Sequence, residues 1–577
     1  MARSWGIGLV LAGIPVALFI WLALSFVRTV SPCQEEIFDR VYRQNVICST
    51  TDPQGHVADI YCLEAPGHRS LERVRRWGPL TLRSTWIRPE LVFQIGSYDL
   101  PLLEQSYQGA AYALLIRLGL AIFGHNVYGL RLPLVMLGAL IIVLTYLLFS
   151  RTFDRGAGFL VALLMATATN SVLAHSVVVY VEAFYAITLL GIAFLMQRGA
   201  SRGFARRAVL AGFLAGWAIY CNLLSIAGLL AFGAAALIGN RRQLRRLLLP
   251  WWASLLAFMT PVTPYFLLNL LMENRTSSLL GRQILSLVTH PLNYVQLLVE
   301  RFEHLHLALQ GFGNAVIAVG GITAAKPLAT YGYEYLFYGS LVILLLGWGA
   351  GDADRANTGR LWALTAIFIP FFSAAPLGTV LNMIVLTEPL IPIVLGLGAR
   401  NLGRVLANLA PQPQRPRVAG VLAVALPILA VIIQLHLTWG TIRVLPLIRE
   451  GLIPRSATQA LARYLEENQI ADAVDVHIED LRYPVEFLTN GRVRMKHHFT
   501  FPGPGGFNRV AADSEWDRVL ALNRGRHFAL KANAFLDAPA DVDLFLAACR
   551  RNGVSARLVT RILNQAGETV IALYQID

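Results

Sequence analysis

The chain has 577 residues, 55% of them hydrophobic and 15% charged, with a mean hydropathy of +0.54. That composition excludes an ordinary soluble domain and indicates a polytopic α-helical membrane protein. The formal net charge of +14 gives no support to nucleic-acid binding, because the excess arginine falls in short turns between apolar runs, where it reports topology.

Trp5 to Val27 is apolar and long enough to cross a hydrocarbon core of roughly 30 Å. A basic start followed by an apolar run also suits a signal peptide, but the run exceeds a typical leader core and no small-x-small site precedes Arg28, which favours an anchor. A long outer loop, residues 28–127, follows and opens with the acidic string SPCQEEIFDR. Between Arg28 and Gln108 it holds nine arginines against ten acids, so it is nearly neutral, and long loops translocate largely regardless of charge. Near its end Gly109 to Phe123 is apolar, short and interrupted by Arg117, the pattern of a helix lying in the outer interface. Cys48 and Cys62 would close a loop that a disulfide stabilises by about 3 kcal/mol in an oxidising compartment, with free thiols as the alternative. No CxxC pair exists, so a zinc site is not expected.

Further spans read at Tyr128–Ser150, Gly158–Val178, Ala183–Met196, Ala208–Tyr220, Leu223–Ile238, Leu248–Leu270, Tyr335–Gly349, Leu361–Ala375, Leu377–Gly398 and Val418–Trp439, about eleven with the first. Arg151 and Arg155, Arg198 to Arg207, Arg241 to Arg246, Arg355 and Arg360, and Arg400 to Arg417 then fall on one side. The positive-inside rule makes that side cytoplasmic, with the amino terminus inside and the carboxyl terminus outside. Glu273 to Tyr333 is a second long outer connection, with room for interfacial or re-entrant helices.

Beyond Trp439 the texture changes. Ser456 and Gln459 form a capping box that opens a helix, and AVDVHIE, VEFLTN and HFALKANAF read as strands. A helix near Val542 to Arg551 and two strands joined around Gln565 to Gly567 complete a small α/β domain. The expected division is therefore a membrane domain, 1–440, and a periplasmic or extracytoplasmic domain, 441–577, on a multi-pass protein of the inner membrane.

Two places invite chemistry. Glu35 and Glu36 sit just outside the first span, where partial burial would raise a carboxyl pKa toward that of a general base, and Asp39 stands one helical turn on. The plain alternative is a solvated acidic helix start. Glu182 interrupts HSVVVYVEAFYAITLLGIAF between one span leaving the bilayer and the next entering it, so it should face a polar cavity unless it is simply bathed in water. A polyprenyl phosphate would need cations, and Arg83, Arg88, Arg117 and Arg131 supply forked guanidinium groups near the outer surface.

The stretch Tyr107 to Arg198 resembles the GT-C membrane glycosyltransferases, in the branch of protein mannosyltransferases and bacterial aminoarabinose transferases. Phe123-Gly124, Leu130 to Pro133, Tyr146 and Arg151 carry most of the likeness. EEIF at Glu35 to Phe38 is similar to that family's acidic pair, Glu182 falls at its second outer acid, and Leu386 to Leu402 is similar to its late proline-containing span. The pair is Glu-Glu in place of Asp-Glu, Glu182 replaces an Asp, and the arginine-tyrosine before the prolines is missing. The resemblance implies a GT-C fold and an enzyme that moves a sugar from a polyprenyl-phosphate donor to a glycan, lipid or protein acceptor at the outer face. It implies inversion at the anomeric carbon, with Glu35, Glu36 and Glu182 as catalytic candidates and Asp39, Arg83, Arg88, Arg117 and Arg131 in substrate binding. No cofactor is required, although paired acids would accommodate a divalent cation. A lipid or polysaccharide flippase is the rival reading. It would need polar residues deep in several spans, whereas the ionisable groups gather near the outer loops.

Overall fold

A computed structural model describes residues 2–29, six short strands between 50 and 109, and then 111–124, 126–176, 182–197, 204–239, 251–271, 291–309, 333–373, 386–444, 455–475, 481–497, 513–532, 541–563, 567 and 569–577. The fold is mostly helical. Its membrane part comprises α1 (Ala2–Thr29), α2 (Ala111–Phe123), α3 (Val127–Thr152), α4 (Arg155–Thr167), α5 (Thr169–Ala174), α6 (Glu182–Gln197) and α7 (Phe204–Cys221). It continues with α8 (Ser225–Gly239), α9 (Trp251–Leu271), α10 (Pro291–Leu309), α11 (Tyr333–Leu346), α12 (Ala353–Ser373), α13 (Leu390–Leu406) and α14 (Arg415–Val444). Among the described residues four helices are long and apolar enough to cross a bilayer, within Val10–Arg28, Val127–Thr152, Leu390–Leu409 and Gln412–Gly440, and shorter apolar helices accompany them.

Lipid tails are as apolar as leucine, so close packing and hydrogen bonds hold such a bundle together. α1 is built into it, with Phe19, Leu22, Ala23 and Phe26 fully buried against α3 and α4. α13 crosses its neighbours on small residues. A methyl group added at Gly398 would stand 2.2 Å from the Ser340 side chain, and one at Gly403 would stand 2.4 Å from the Leu422 backbone. α2 has 13 residues, too few for roughly 30 Å, and it folds back on α3 through Gly119, Gly129 and Pro133.

One expected span is interrupted. The run read as Gly158–Val178 is broken: α4 ends at Thr167, Ala168 is extended at φ −64 and ψ 123, and a separate turn of helix, α5, follows. Of the span read from Leu377, 374–385 lie outside the described residues, and α13 runs on from Leu390 after a helical turn at Pro389.

The carboxyl-terminal segment folds as α15 (Arg455–Glu467), β1 (Asp472–Asp475), α16 (Arg482–Leu488), β2 (Arg494–His497), α17 (Asp513–Leu522), β3 (His527–Lys531), α18 (Asp541–Arg551), β4 (Ala556–Leu563) and β5 (Thr569–Ile576). The strands form one mixed sheet in the order β4-β5-β3-β1-β2. Alternating side chains serve two cores: Ala529 and Leu573 meet α15 on one face, while Phe528, Leu530 and Ile576 meet Trp516 and Phe545 on the other. VEFLTN, expected as a strand, is helical. Leu481, Val485 and Leu488 recur at helical spacing, Pro484 falls in the first turn where its missing N–H costs nothing, and Asn490 and Gly491 end the helix in the left-handed region. α16 also carries Phe487 into the core of the membrane bundle, which ties the two parts together.

Candidate functional site

The bundle has two chemically distinct ends. At one, Asp154 caps α4 by accepting from the Ala157 N–H at 2.9 Å and pairs with Arg400 of α13. Burial raises the Asp154 carboxyl, but the Ala157 N–H and the Arg400 guanidinium outweigh it and hold the group below the usual carboxylate range. Arg355 donates to the Phe153 carbonyl at 2.9 Å, Arg404 to the Gly349 carbonyl at 3.1 Å and Arg360 to the Leu345 carbonyl at 2.9 Å. These are the arginine turns expected inside, here fastening helix ends.

The other end of α4 lies 13 residues on, roughly 20 Å away at 1.5 Å per residue. The break at Ala168 deprives the Thr167 carbonyl of its helical partner, and the Thr438 hydroxyl of α14 donates to it at 2.8 Å. Thr438 also meets the Thr169 hydroxyl at 2.7 Å, and the Thr167 hydroxyl donates to the Gln434 side chain at 2.9 Å. Gln434 in turn donates to the Tyr333 hydroxyl at the start of α11. Opposite, His175 at the end of α5 stands 3.7 Å from Glu388, both nearly fully buried, and the Phe19 ring of α1 lies edge-on to the imidazole at 6.2 Å. Between these groups is a small pocket lined by Thr169, Asn170, Tyr333, Glu388 and Gln434 and by the apolar Leu309, Ile391, Pro392 and Leu437. Backbone that leaves the helix at membrane depth is tolerated where it is buried in protein or lines a cavity, and both conditions hold here.

Several residues singled out in the sequence belong to elements that pack together, α1, α2, α3 and α6, at the corner expected to face outward. Arg131, fully buried in the first turns of α3, donates to the Val27 carbonyl at 3.4 Å and so fixes the end of α1 just ahead of the acidic loop. Glu182 is the first residue of α6, and two residues later Phe184 meets Tyr112 of α2 edge-on at 4.9 Å, which brings the start of α6 beside the helix that carries Arg117. The side chains of Glu182 and Arg117 lie outside the described residues, as do Glu35, Glu36, Asp39, Arg83, Arg88 and the Cys48 and Cys62 pair. Among the described residues no three metal-ligating side chains come together.

Sequence reasoning missed His175, Asn170, Tyr333, Glu388 and Gln434. A signal was present: TATNS interrupts an apolar run with hydroxyl and amide groups, and Glu388 is the single charge at the head of a span.

Residues 108–287, from α2 through α9, match the family of dolichyl-phosphate-mannose-protein mannosyltransferases. The whole fold is similar to that of ArnT from Cupriavidus metallidurans bound to undecaprenyl phosphate, with a TM-score of 0.54 and 13% identity over 99% of this chain and 98% of that one. The apo state of the same protein gives 0.53 and 13% over the same shares. The Archaeoglobus fulgidus oligosaccharyltransferase complexed with zinc and sulfate is a weaker likeness, at a TM-score of 0.44 and 14% identity over 89% of this chain and 67% of that one. No curated protein matches the chain in sequence. The fold is that of the GT-C membrane glycosyltransferases, and the family-matching segment lies within it. The flippase reading gains no support from either.

Proposed function

We propose that this glycosyltransferase takes a single sugar from a polyprenyl-phosphate donor and passes it, with inversion, to a glycan, lipid or protein hydroxyl at the outer face of a bacterial inner membrane. The observation that carries this reading is the family-matching segment, because it includes α2, α3, the broken α4–α5 pair and α6, the elements around the outer corner and the pocket. An acceptor oxygen attacks the anomeric carbon, the bond from that carbon to the phosphate oxygen breaks, and the polyprenyl phosphate leaves with the electron pair. Glu35 or Glu36 takes the acceptor proton, Glu182 completes the acidic cluster, and Asp39 with Arg83, Arg88, Arg117 and Arg131 holds the substrates. The division into a membrane domain, 1–440, and a periplasmic domain, 441–577, belongs to the same reading. The sheet domain then covers the site and shapes acceptor choice.

The test uses the full chain in nanodiscs with a panel of undecaprenyl-phosphate-linked sugars, measuring release of undecaprenyl phosphate and transfer of the sugar. Transfer from at least one donor is expected. Glu182→Ala is expected to lose it more completely than truncation after Thr441, with donor binding intact in the truncated protein. Wild-type transfer by Glu182→Ala would remove that residue from the mechanism, and lost donor binding in a folded truncation would place the tail in the donor site.

A further inference from the structure

We propose that α10 lies in the membrane–water interface, with one apolar stripe seated among lipid chains and the other side of the helix clamping the ends of α11 and α12. The partner is bilayer lipid, held by apolar contact without help from charge. Three observations carry it.

The first is the crossing. α12 ends at Ser373, which leaves its last carbonyls without helical donors. α10 supplies two donors: the Tyr294 hydroxyl donates to the Phe371 carbonyl at 3.0 Å, and the Arg301 Nε–H donates to the Ser373 carbonyl at 3.2 Å. The Phe302 ring meets that of Phe371 edge-on at 5.8 Å. About 12 Å of α10, from Tyr294 to Phe302, therefore meets about 3 Å of α12, at roughly 1.5 Å per residue. Farther along, His306 stands 3.9 Å from Glu334 in the first turn of α11. The start of α11 and the end of α12 lie at the same end of a helical hairpin, opposite the arginine turns. A helix that bridges the two in this way runs across them and lies near the membrane plane.

The second is the division of the helix surface. Leu292, Val295, Val299 and Phe302 are 82%, 54%, 54% and 39% exposed. At about 100° per residue they fall within an arc of about 80°. Tyr294, Arg301 and Leu305 lie on the other side, with Arg301 and Leu305 buried against the bundle. Gln296 and Glu300 occupy the flank between. A packed side, an exposed apolar stripe and a polar flank match the three surroundings of an interfacial helix: protein, hydrocarbon and water.

The third is continuity. Phe302 carries the stripe onto Phe371 of α12, which is itself 39% exposed, so the stripe joins the apolar surface of the bundle. An isolated apolar patch on a watery face would indicate a protein partner. A patch continuous with the outside of a membrane bundle is covered by lipid. The exposed polar residues beside the stripe are Gln296 and Glu303, one neutral and one acidic, so attraction to anionic headgroups plays no part. The interface concerned is the outer one in the proposed topology, and the lipid contact is tested independently of that side.

The test places photoactivatable benzoylphenylalanine at Val295, Val299, Gln296 and Glu300 in turn in the full chain, with Met136, exposed on α3, as the position known to be in a span. Each folded variant is irradiated in nanodiscs of phosphatidylcholine alone, and lipid adducts are measured by intact mass. Lipid adducts at Val295 and Val299 that approach the Met136 yield and exceed those at Gln296 and Glu300 several-fold are expected. Equal adduct yields at all four α10 positions would overturn the proposal, as would their absence at Val295 and Val299 while Met136 labels. Cross-linked dimers at Val295 or Val299 in place of lipid adducts would also overturn it, by showing a second copy on the stripe.

Discussion

At the start of α4, the inner end in the proposed topology, Asp154 is locked to Arg400 and to its own helix start, and the surrounding arginines spend their hydrogen bonds on backbone carbonyls. At the other end of the same helix, outer in that topology, the chain breaks, and hydroxyls, amides and a carboxylate line a small pocket. Both ends use polar groups to hold helices together, the first through charge and backbone carbonyls and the second through neutral hydroxyls and amides that bridge α4, α5, α11 and α14. The strongest charges among these groups therefore do not mark the place where the helix breaks.

The comparison predicts opposite consequences for substitutions at the two ends. The largest effect is expected in the outer loop. Glu35→Gln or Glu36→Gln should lower transfer by roughly 10² to 10⁴ without altering thermal unfolding. Near-normal turnover in both variants and in the double variant would rule out the loop acids as the base.

At the inner end, Asp154→Ala should do the reverse. It removes a helix cap and leaves the largely buried Arg400 without its carboxylate, costing on the order of 2–4 kcal/mol of stability, while turnover per folded molecule stays within about twofold. Because the Asp154 carboxyl is held below its ordinary range, its contribution is complete above the usual aspartate value and fades only as pH falls through the lowered one. Thermal stability near neutral pH should therefore not depend on this group. A loss of turnover in folded Asp154→Ala would show that the inner end takes part in function.

The smallest effect is expected at the seam. Thr438→Val removes the donor to the Thr167 carbonyl and the partner of Thr169, and should cost about 1–3 kcal/mol in stability. Wild-type stability in Thr438→Val would show that this hydroxyl contributes nothing to holding α14 against the break.

The mostly helical membrane fold was legible in the sequence, because apolar runs of sufficient length follow from bilayer thickness. The ranges of α3, α6, α7 and α8 lie close to the runs read from hydropathy. The break at Ala168 was not legible, since threonine, asparagine and serine in an apolar run are compatible with a continuous helix until a distant Thr438 takes over the freed carbonyl. Likewise His175 and Glu388 are 213 residues apart, and the packing of α13 against α4, with α5 held on α4 and α14, brings them together. VEFLTN misled because its apolar residues alternate over a short window, while the helical partners Leu481 and Val485 come from outside it. Glu35 and Glu36 were singled out by their place after the first apolar run and lie outside the described residues, whereas Arg131 proved to be buried against the end of that run.

The most direct test of the account is where a polyprenyl phosphate touches the chain. The full-length protein in nanodiscs would be cross-linked with a photoactivatable undecaprenyl phosphate, in competition with undecaprenyl-phosphate-linked sugars, and the labelled peptides identified. The account predicts label on the outer corner, in peptides from the end of α1, the acidic loop, α2 and the start of α6, with competition by the sugar-linked lipids. Competable label confined to the inner arginine turns at Arg198 to Arg207 or Arg241 to Arg246 would contradict it.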